Sequence, residues 1–431
     1  VRTRLLYLLL TVLAVPGLSA AARTQPLMEY LARPDAGFAW KIVKEAPMPG
    51  GASTIEVELT SQTWQNITWK HHLGIVRPPK MGSHIVPLLF IWGDYDSGQA
   101  LLYLAQMVQK LDAPIAMLYD IPNQPLFGDL GEDGLISYTF VKYLETRDKT
   151  WPLLFPMTKG AIRAMDAIQE LARKEWKAEA TGFVVTGASK RGWTTWLVGA
   201  ADPRVRGIAP MVYDNLNLPA QMKHQIDTWG RYSEQISDYT EKGLPEMLQS
   251  EKGKELGAMV DPYTFRSRIR IPKLIINGTN DRYWTLDSTN LYFDQLSGPR
   301  YILYDPNSGH GLEDRERVLG TLAAFHAFCA GKTAFPRLSW KYRPVKEGVE
   351  LSIQSDPKPA EVAVWVASAA TKDFRDARWE KKAASLKNGS YLFTLTTPKK
   401  GYAALFGEAR YTRGGQGFHL STQVQIIGGA K

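Results

Sequence analysis

The chain has 431 residues and a formal net charge of +9, from 52 Lys and Arg against 43 Asp and Glu. That length exceeds what one core supports, so two domains are expected, and 44% hydrophobic residues with 11% aromatics is the make-up of a well-packed globular protein rather than a disordered one. The basic residues are scattered among acids without a long run, so nucleic acid is not an expected partner, while affinity for an anionic surface or substrate stays open.

The amino terminus reads as an export signal over residues 1–21. Arg2 and Arg4 precede an apolar run from Leu5 to Val15, Pro16-Gly17 breaks it, and Leu18-Ser-Ala20 supplies the small residues of a cleavage site. The run is too short to span a bilayer, and no Cys lies near it for lipid attachment. The expected product is a bacterial protein, periplasmic or secreted, with no stable membrane anchor. Cys329 is the only cysteine, so no intrachain disulfide can form, and in Ala327-Phe-Cys-Ala330 it reads as core packing.

Beyond the leader, residues 28–32 suggest a short helix, and strands read at 54–60 and 64–76. Strands at 86–91, 114–119 and 182–185 then alternate with helical spacing at 98–111, 138–146 and 158–176. Alternation of this kind predicts a mostly parallel sheet with helices on both faces. Gly93 and Asp94 follow the strand that ends near Trp92, and Gly93 permits a close backbone approach to a ligand. His71 and His72 would point to opposite faces of a strand, so no zinc site is expected there. The glycines at 128, 131 and 134 lack the spacing and context of a dinucleotide loop.

The apolar run Gly182-Phe-Val-Val-Thr186 leads into Gly187-Ala-Ser189-Lys190-Arg191-Gly192 and then a helix-like stretch. This is how α/β-hydrolases expose a nucleophilic serine above the sheet, although the second glycine comes one residue late, at 192 instead of 191. Ser189 also has a plain reading as a helix cap. Lys190, next after the serine, would supply one oxyanion-hole N–H and the Gly93 loop the other. Arg191, Asp94 and Trp229 are candidate substrate-binding residues. Asp214 ends the next predicted strand.

Residues 215–270 are polar, helical in rhythm and rich in aromatics, and they interrupt the alternation where hydrolases carry a lid. The strand at 273–277 ends in Gly278-Thr-Asn-Asp281, and that at 301–304 is followed by Asp305-Pro-Asn-Ser-Gly309-His310. Ser189, Asp281 and His310 therefore follow in the Ser, acid, His order of α/β-hydrolases, each beyond a strand's carboxyl end, where open α/β sheets build their sites. The imidazole would take the serine proton and the carboxylate would orient it; Asp214 is the alternative acid. The mechanism needs no cofactor or metal. A helix at 320–330 closes this unit. From 333 to 431, short alternating runs separated by Pro, Gly, Asn and Lys predict an antiparallel β-sandwich like immunoglobulin or fibronectin type III modules, with Trp365 and Trp379 in its core.

Several strings carry a resemblance: Trp69-Lys-His71-His72, Trp151-Pro152, Pro156-Met157-Thr158-Lys159, Gly187-Ala-Ser-Lys-Arg-Gly-Trp-Thr-Thr-Trp196, Asp261-Pro262-Tyr263 and Asn277-Gly278-Thr279-Asn280-Asp281. By these the chain resembles the PhoPQ-activated pathogenicity-related (PqaA-type) family, grouped with the α/β-hydrolases, over residues from about 26 to 425. The resemblance implies a secreted or periplasmic hydrolase-like protein of undefined substrate. Lys190 and Gly192 are also similar in placement to residues of glucuronoyl esterases, which keeps esters of acidic sugars in view.

The expected organisation is a signal peptide at 1–21, an α/β-hydrolase domain at 22–332 with its lid at 215–270, and a β-sandwich domain at 333–431. The expected function is a serine hydrolase acting through an acyl-enzyme on a small-molecule or saccharide-linked ester that can be anionic. The alternatives are a serine peptidase and a non-catalytic, virulence-associated binding protein on the same fold.

Overall fold

The computed structural model describes residues 25–429, apart from 97–98, 100, 102–104, 106 and 109–110. The predicted signal segment and much of the predicted helix at 98–111 lie outside the described residues. After a short helix, Pro26–Leu31, the chain forms three antiparallel strands: β1 (Ala39–Pro47), β2 (Ser53–Trp64) and β3 (Ile67–Arg77). Gln65 and Asn66, at φ 49° and 62°, make the tight turn between β2 and β3, as two left-handed residues do in a hairpin. β1 escaped the sequence pattern because most of its residues are exposed and no apolar alternation marks it.

The short β4 (His84–Ile85) precedes β5 (Leu88–Ile91), β6 (Ile115–Leu118) follows, and β7 (Glu179–Ala180) pairs with β4. β8 (Phe183–Ala188), β9 (Val205–Met211), β10 (Lys273–Gly278) and β11 (Arg300–Asp305) complete the parallel part. The strand order runs β1-β2-β3-β6-β5-β8-β9-β10-β11, with every pair from β6 to β11 parallel. β5 and β6 are buried at every residue, as strands covered on both faces must be. Along β5, Leu89 and Ile91 face a core shared with the helices Leu154–Glu175 and Lys190–Ala201, while Leu88 and Phe90 face one shared with the helix Arg315–Cys329. The predicted helical stretch at 215–270 holds two longer helices, Leu218–Trp229 and Glu251–Val260, with short turns between them.

The C-terminal region consists of β12 (Arg337–Val345), β13 (Gly348–Asp356), β14 (Glu361–Ala369), β15 (Glu380–Ala383), β16 (Ser385–Lys387), β17 (Ser390–Thr396), β18 (Tyr402–Arg413), β19 (Gln416–Ser421) and β20 (Gln425–Gly428). One layer is the four-stranded sheet β12-β13-β17-β16. The other, β19-β18-β14-β15 with β20, is not separate: β19 pairs with β11 at Ile302 and Ser421, so both regions share one 14-stranded sheet. Tyr304 N donates to Ser421 Oγ across this joint (2.9 Å), and Phe335 stacks between Phe328 and Phe418. Trp379 is buried against Phe406, whereas Trp365 is only half-buried and donates through Nε1 to Glu408 Oε1. β15 and β16 were not predicted, because every one of their residues is exposed and apolar alternation is missing. Among the described residues, no helix is long and apolar enough to cross a membrane.

Arg317, in the helix Arg315–Cys329, forms an ion pair with Glu408 of β18, a carboxylate that is almost fully buried. Removing the cation leaves the Glu408 carboxylate without its paired charge, and also strips one from the fully buried Asp305 (3.8 Å); breaking a buried pair costs about 3–5 kcal/mol. We therefore expect Arg317→Met to lower unfolding stability by about 3 kcal/mol in urea titrations. Adding Glu408→Gln should restore part of the loss; a double variant as unstable as the single one would show that the Glu408 charge is not what is at stake.

Candidate active site

Ser189 sits between β8 and the helix Lys190–Ala201 at φ 57° and ψ −127°. A non-glycine residue there is strained and persists only where its surroundings impose it. Ser189 N donates to Met211 O of β9 (2.9 Å), and two glycines let helix and strands close up. A Cβ at Gly187 would lie 2.8 Å from Arg191 O, and one at Gly192 would lie 2.8 Å from Met211 O and 3.0 Å from Tyr213 Cβ. Glycine is therefore required at 192, where the helix touches β9, and position 191 is free to carry a side chain. Lys190 is the first helical residue, so its N–H is one of the donors that no intrahelical carbonyl satisfies.

The acid and histidine loops follow β10 and β11, the second and third strands beyond β8 in the sheet. Strands lie about 5 Å apart, a span that loop residues can bridge. His310 Nδ1–H donates to Asp281 Oδ2 (2.7 Å), and Asp281 Oδ1 accepts from Tyr283 N (2.9 Å). The Tyr283 ring stacks on the imidazole at 4.2 Å. His310 Nε2 is buried and has no hydrogen-bond partner, so no hydrogen bond joins it to Ser189 Oγ in this structure. Such bonds are often long or misaligned without substrate. Ser189 and Tyr283 line the same cavity, which places the hydroxyl and the imidazole's stacking partner on one site.

The two loops are zipped together. Thr279 Oγ1 accepts from Asn307 N (2.9 Å), and Asn280 N donates to Ser308 O (2.9 Å). A side chain at Gly278 would collide with the carbonyls of Ser308 and Gly309. The C-terminal loop covers them: Asn280 Nδ2 donates to Ala377 O (2.7 Å) and Arg375 O (3.1 Å), and Trp379 N donates to Asn307 Oδ1 (2.7 Å).

A family model described as PhoPQ-activated pathogenicity-related protein matches residues 27–375. The chain belongs to this family. It is 29% identical to autocrine proliferation repressor protein A of Dictyostelium discoideum over 441 residues, 93% of this chain and 89% of that protein. Among solved structures it is similar to an acetyl xylan esterase from Paenibacillus sp. R4, with a TM-score of 0.51, 17% identity, and 70% of this chain and 92% of that one covered. Acetyl xylan esterase 1 from Thermoanaerobacterium sp. JW/SL YS485 aligns with a TM-score of 0.48 and 14% identity, over 72% of this chain and 93% of that one. The fold is the α/β-hydrolase fold.

The family strings take on physical roles. In Ser-Lys-Arg-Gly-Trp-Thr-Thr-Trp, Trp193 Nε1 donates to Val260 O of the helix Glu251–Val260 (2.6 Å), Thr194 and Thr195 hydroxyls bond back to Lys190 O and Arg191 O, and Trp196 is fully buried. Asp261 of the Asp-Pro-Tyr string accepts from Asn217, Leu218 and Tyr263 backbone N–H groups, pinning both ends of the helical segment between β9 and β10.

The remaining predicted site residues lie elsewhere or are otherwise engaged. Arg191 is engaged within the protein: Nη1 and Nη2 bond to Glu132 at 2.7 and 2.5 Å, and Nε donates to Ile121 O. Lys190 Nζ pairs with Glu132 (2.6 Å) and Asp133 (3.1 Å). Burial acts to raise the Glu132 carboxyl, but the hydrogen bonds and charges of the two cations outweigh it and hold the group at about 2. Sequence reading missed Glu132 and Asp133, whose only signal was an acidic pair opening a helix. Gly93 packs against the Arg191 guanidinium, where a Cβ would lie 2.9 Å from Nη2, and its carbonyl accepts from Asp120 N (2.6 Å). Asp94 accepts from Gln124 Nε2 (2.8 Å), and Trp229 lies under the Arg375 guanidinium (4.2 Å), outside the cavity lining. His71 is buried between Ser61 Oγ and Asp120 O, and His72 bonds to Asp120 Oδ2. Among the described residues, no group of three His, Cys, Asp or Glu side chains could hold a metal ion.

Asp214 does not meet His310. Its oxygens accept from Thr289 Oγ1 (2.6 Å) and Tyr292 OH (2.5 Å). Burial raises its carboxyl to about 7, and those two hydrogen bonds offset this only in part. An acid raised on folding contributes its full stability below the unfolded value of about 3.9 and loses it as pH climbs through the folded one. Asp214→Asn keeps the shape and cannot ionise. We expect it to match wild type in urea stability near pH 4 and to exceed it by about 4 kcal/mol at pH 8; curves that stay parallel across this range would refute a protonated, buried Asp214.

Proposed function

We propose that this protein is an exported serine esterase in which Ser189 is the nucleophile, His310 the base and Asp281 its orienting acid. The observation that carries this reading is His310, held through Nδ1 by a buried carboxylate with Nε2 unpartnered. A carboxylate on Nδ1–H selects the tautomer whose Nε2 lone pair accepts a proton.

Ser189 Oγ attacks the ester carbonyl carbon as its proton passes to His310 Nε2. The oxyanion is met by the Lys190 N–H and by backbone at Gly93. Collapse of the tetrahedral intermediate breaks the bond to the alcohol oxygen, which takes the proton from His310 and leaves an acyl-serine. Water then attacks that ester and gives a proton to His310; the acid departs and the proton returns to Ser189 Oγ. The esterase fold neighbours support ester over amide cleavage. The missing Ser189–His310 hydrogen bond is the feature that a non-catalytic binding protein would share.

A fluorophosphonate probe separates the two readings. We expect the wild type to label, Ser189→Ala to lose labelling, and His310→Ala and Asp281→Asn to slow it by about 10³–10⁴-fold, with Asp214→Asn labelling like wild type. A folded wild type that never labels refutes the enzyme. For export, we expect N-terminal sequencing of protein recovered outside the cytoplasm to begin near residue 21 or 22; a retained leader would overturn that part.

A further inference from the structure

Two cations follow Ser189 in the chain, and both are already neutralised. Lys190 and Arg191 are buried and paired with Glu132 and Asp133, so two positive and two negative charges cancel beside the nucleophile. An anionic substrate group would find no free cation among these residues, and would lie near the carboxylates that hold them.

The cavity that Ser189 opens into is apolar instead. Phe140 and Trp193 line it, with Leu218, Met222, Leu244 and Leu256 from residues 215–270. Of its ionisable members, Asp133 and Lys190 are paired with one another, and Asp133 Oδ1 also accepts from Tyr239 OH (2.9 Å). Tyr213 OH and Asn215 Oδ1 are buried polar atoms of the lining without a hydrogen-bond partner, too few to satisfy the several hydroxyls of a sugar, so the cavity gains free energy chiefly by removing hydrocarbon from water.

His310 is not among the lining residues, but Tyr283, which stacks on its imidazole, is, so the histidine stands at the cavity's edge. The leaving oxygen must face His310 Nε2 to receive its proton, which sets the alcohol at that edge. The substituent on the other side of the carbonyl carbon is then left the apolar lining around Trp193 and Leu256.

Resting on the serine esterase reading, we propose that this cavity is an acyl pocket, and that the substrates are esters of uncharged aliphatic or aromatic acids larger than acetate. Each buried methylene contributes about 0.8 kcal/mol, or about fourfold in kcat/KM.

The test is a series of p-nitrophenyl acetate, butanoate and hexanoate, with acetylated xylo-oligosaccharide and a methyl glucuronate ester alongside. We expect kcat/KM for hexanoate to exceed that for acetate by tenfold or more, with both sugar esters below it. Leu256→Trp and Met222→Phe narrow the cavity from two different helices, so that one serves if the other does not fold. Each should lower the hexanoate-to-acetate ratio by tenfold or more. Acetate or a sugar ester as the best substrate overturns the acyl pocket while leaving a serine esterase in place, and so does a ratio that neither variant moves. Hydrolysis of no ester, together with no fluorophosphonate labelling, removes the esterase reading itself.

Discussion

The backbone at Ser189, forced to φ 57° and ψ −127°, is the constraint around which the site is built. A residue held there costs about 1–3 kcal/mol, so the turn has to be imposed from outside. Met211 O takes its N–H, and the missing side chains at 187 and 192 bring the helix Lys190–Ala201 against β8 and β9. With the helix so close, its whole first turn is buried. That burial explains why two cations there need partners and why Trp193 reaches the backbone of the helix Glu251–Val260 at Val260.

Those partners come from the start of the helix Glu132–Thr146, and Gln124 extends the network by bonding to both Glu132 and Asp94. The cluster is poor evidence of stability, because desolvating such charges costs much of what their attraction returns. Its consequence is electrostatic. A protein with a formal charge of +9 surrounds Ser189 with a balanced set of charges and an apolar cavity, and overall basicity is no guide to what that cavity takes.

The acid and histidine loops depend on the C-terminal region in turn. Asn280 and Asn307 spend their side-chain amides on backbone groups of residues 374–379. The same loop reaches the helical segment 215–270, where Glu234 accepts from Arg375 and from Arg282, and Arg282 also meets Asp376. Strand β19 extends the parallel sheet at β11, the strand that precedes His310. That segment, the Asp281 and His310 loops and the C-terminal sheet therefore form one bonded structure, with the predicted boundary at 332–333 running through it.

The amino-acid order by itself determined the parallel sheet, the helical stretch at 215–270 and the placing of Ser189, Asp281 and His310 in loops after strands, because each is written locally. Buried strands are continuous apolar runs, and glycine-rich turns follow them. The tertiary structure decided the rest. Asp214 and Asp281 both end strands, and only packing gave Asp281 to the imidazole while Thr289 and Tyr292 took Asp214. The sequence set Lys190 and Arg191 beside Ser189 without naming their partners, which are Glu132 and Asp133, more than fifty residues earlier in the chain. Strands β1, β15 and β16 carry little apolar pattern because they bury almost nothing. A hydrogen bond or ion pair between distant segments leaves no periodicity in either one, so such pairings belong to the folded chain alone.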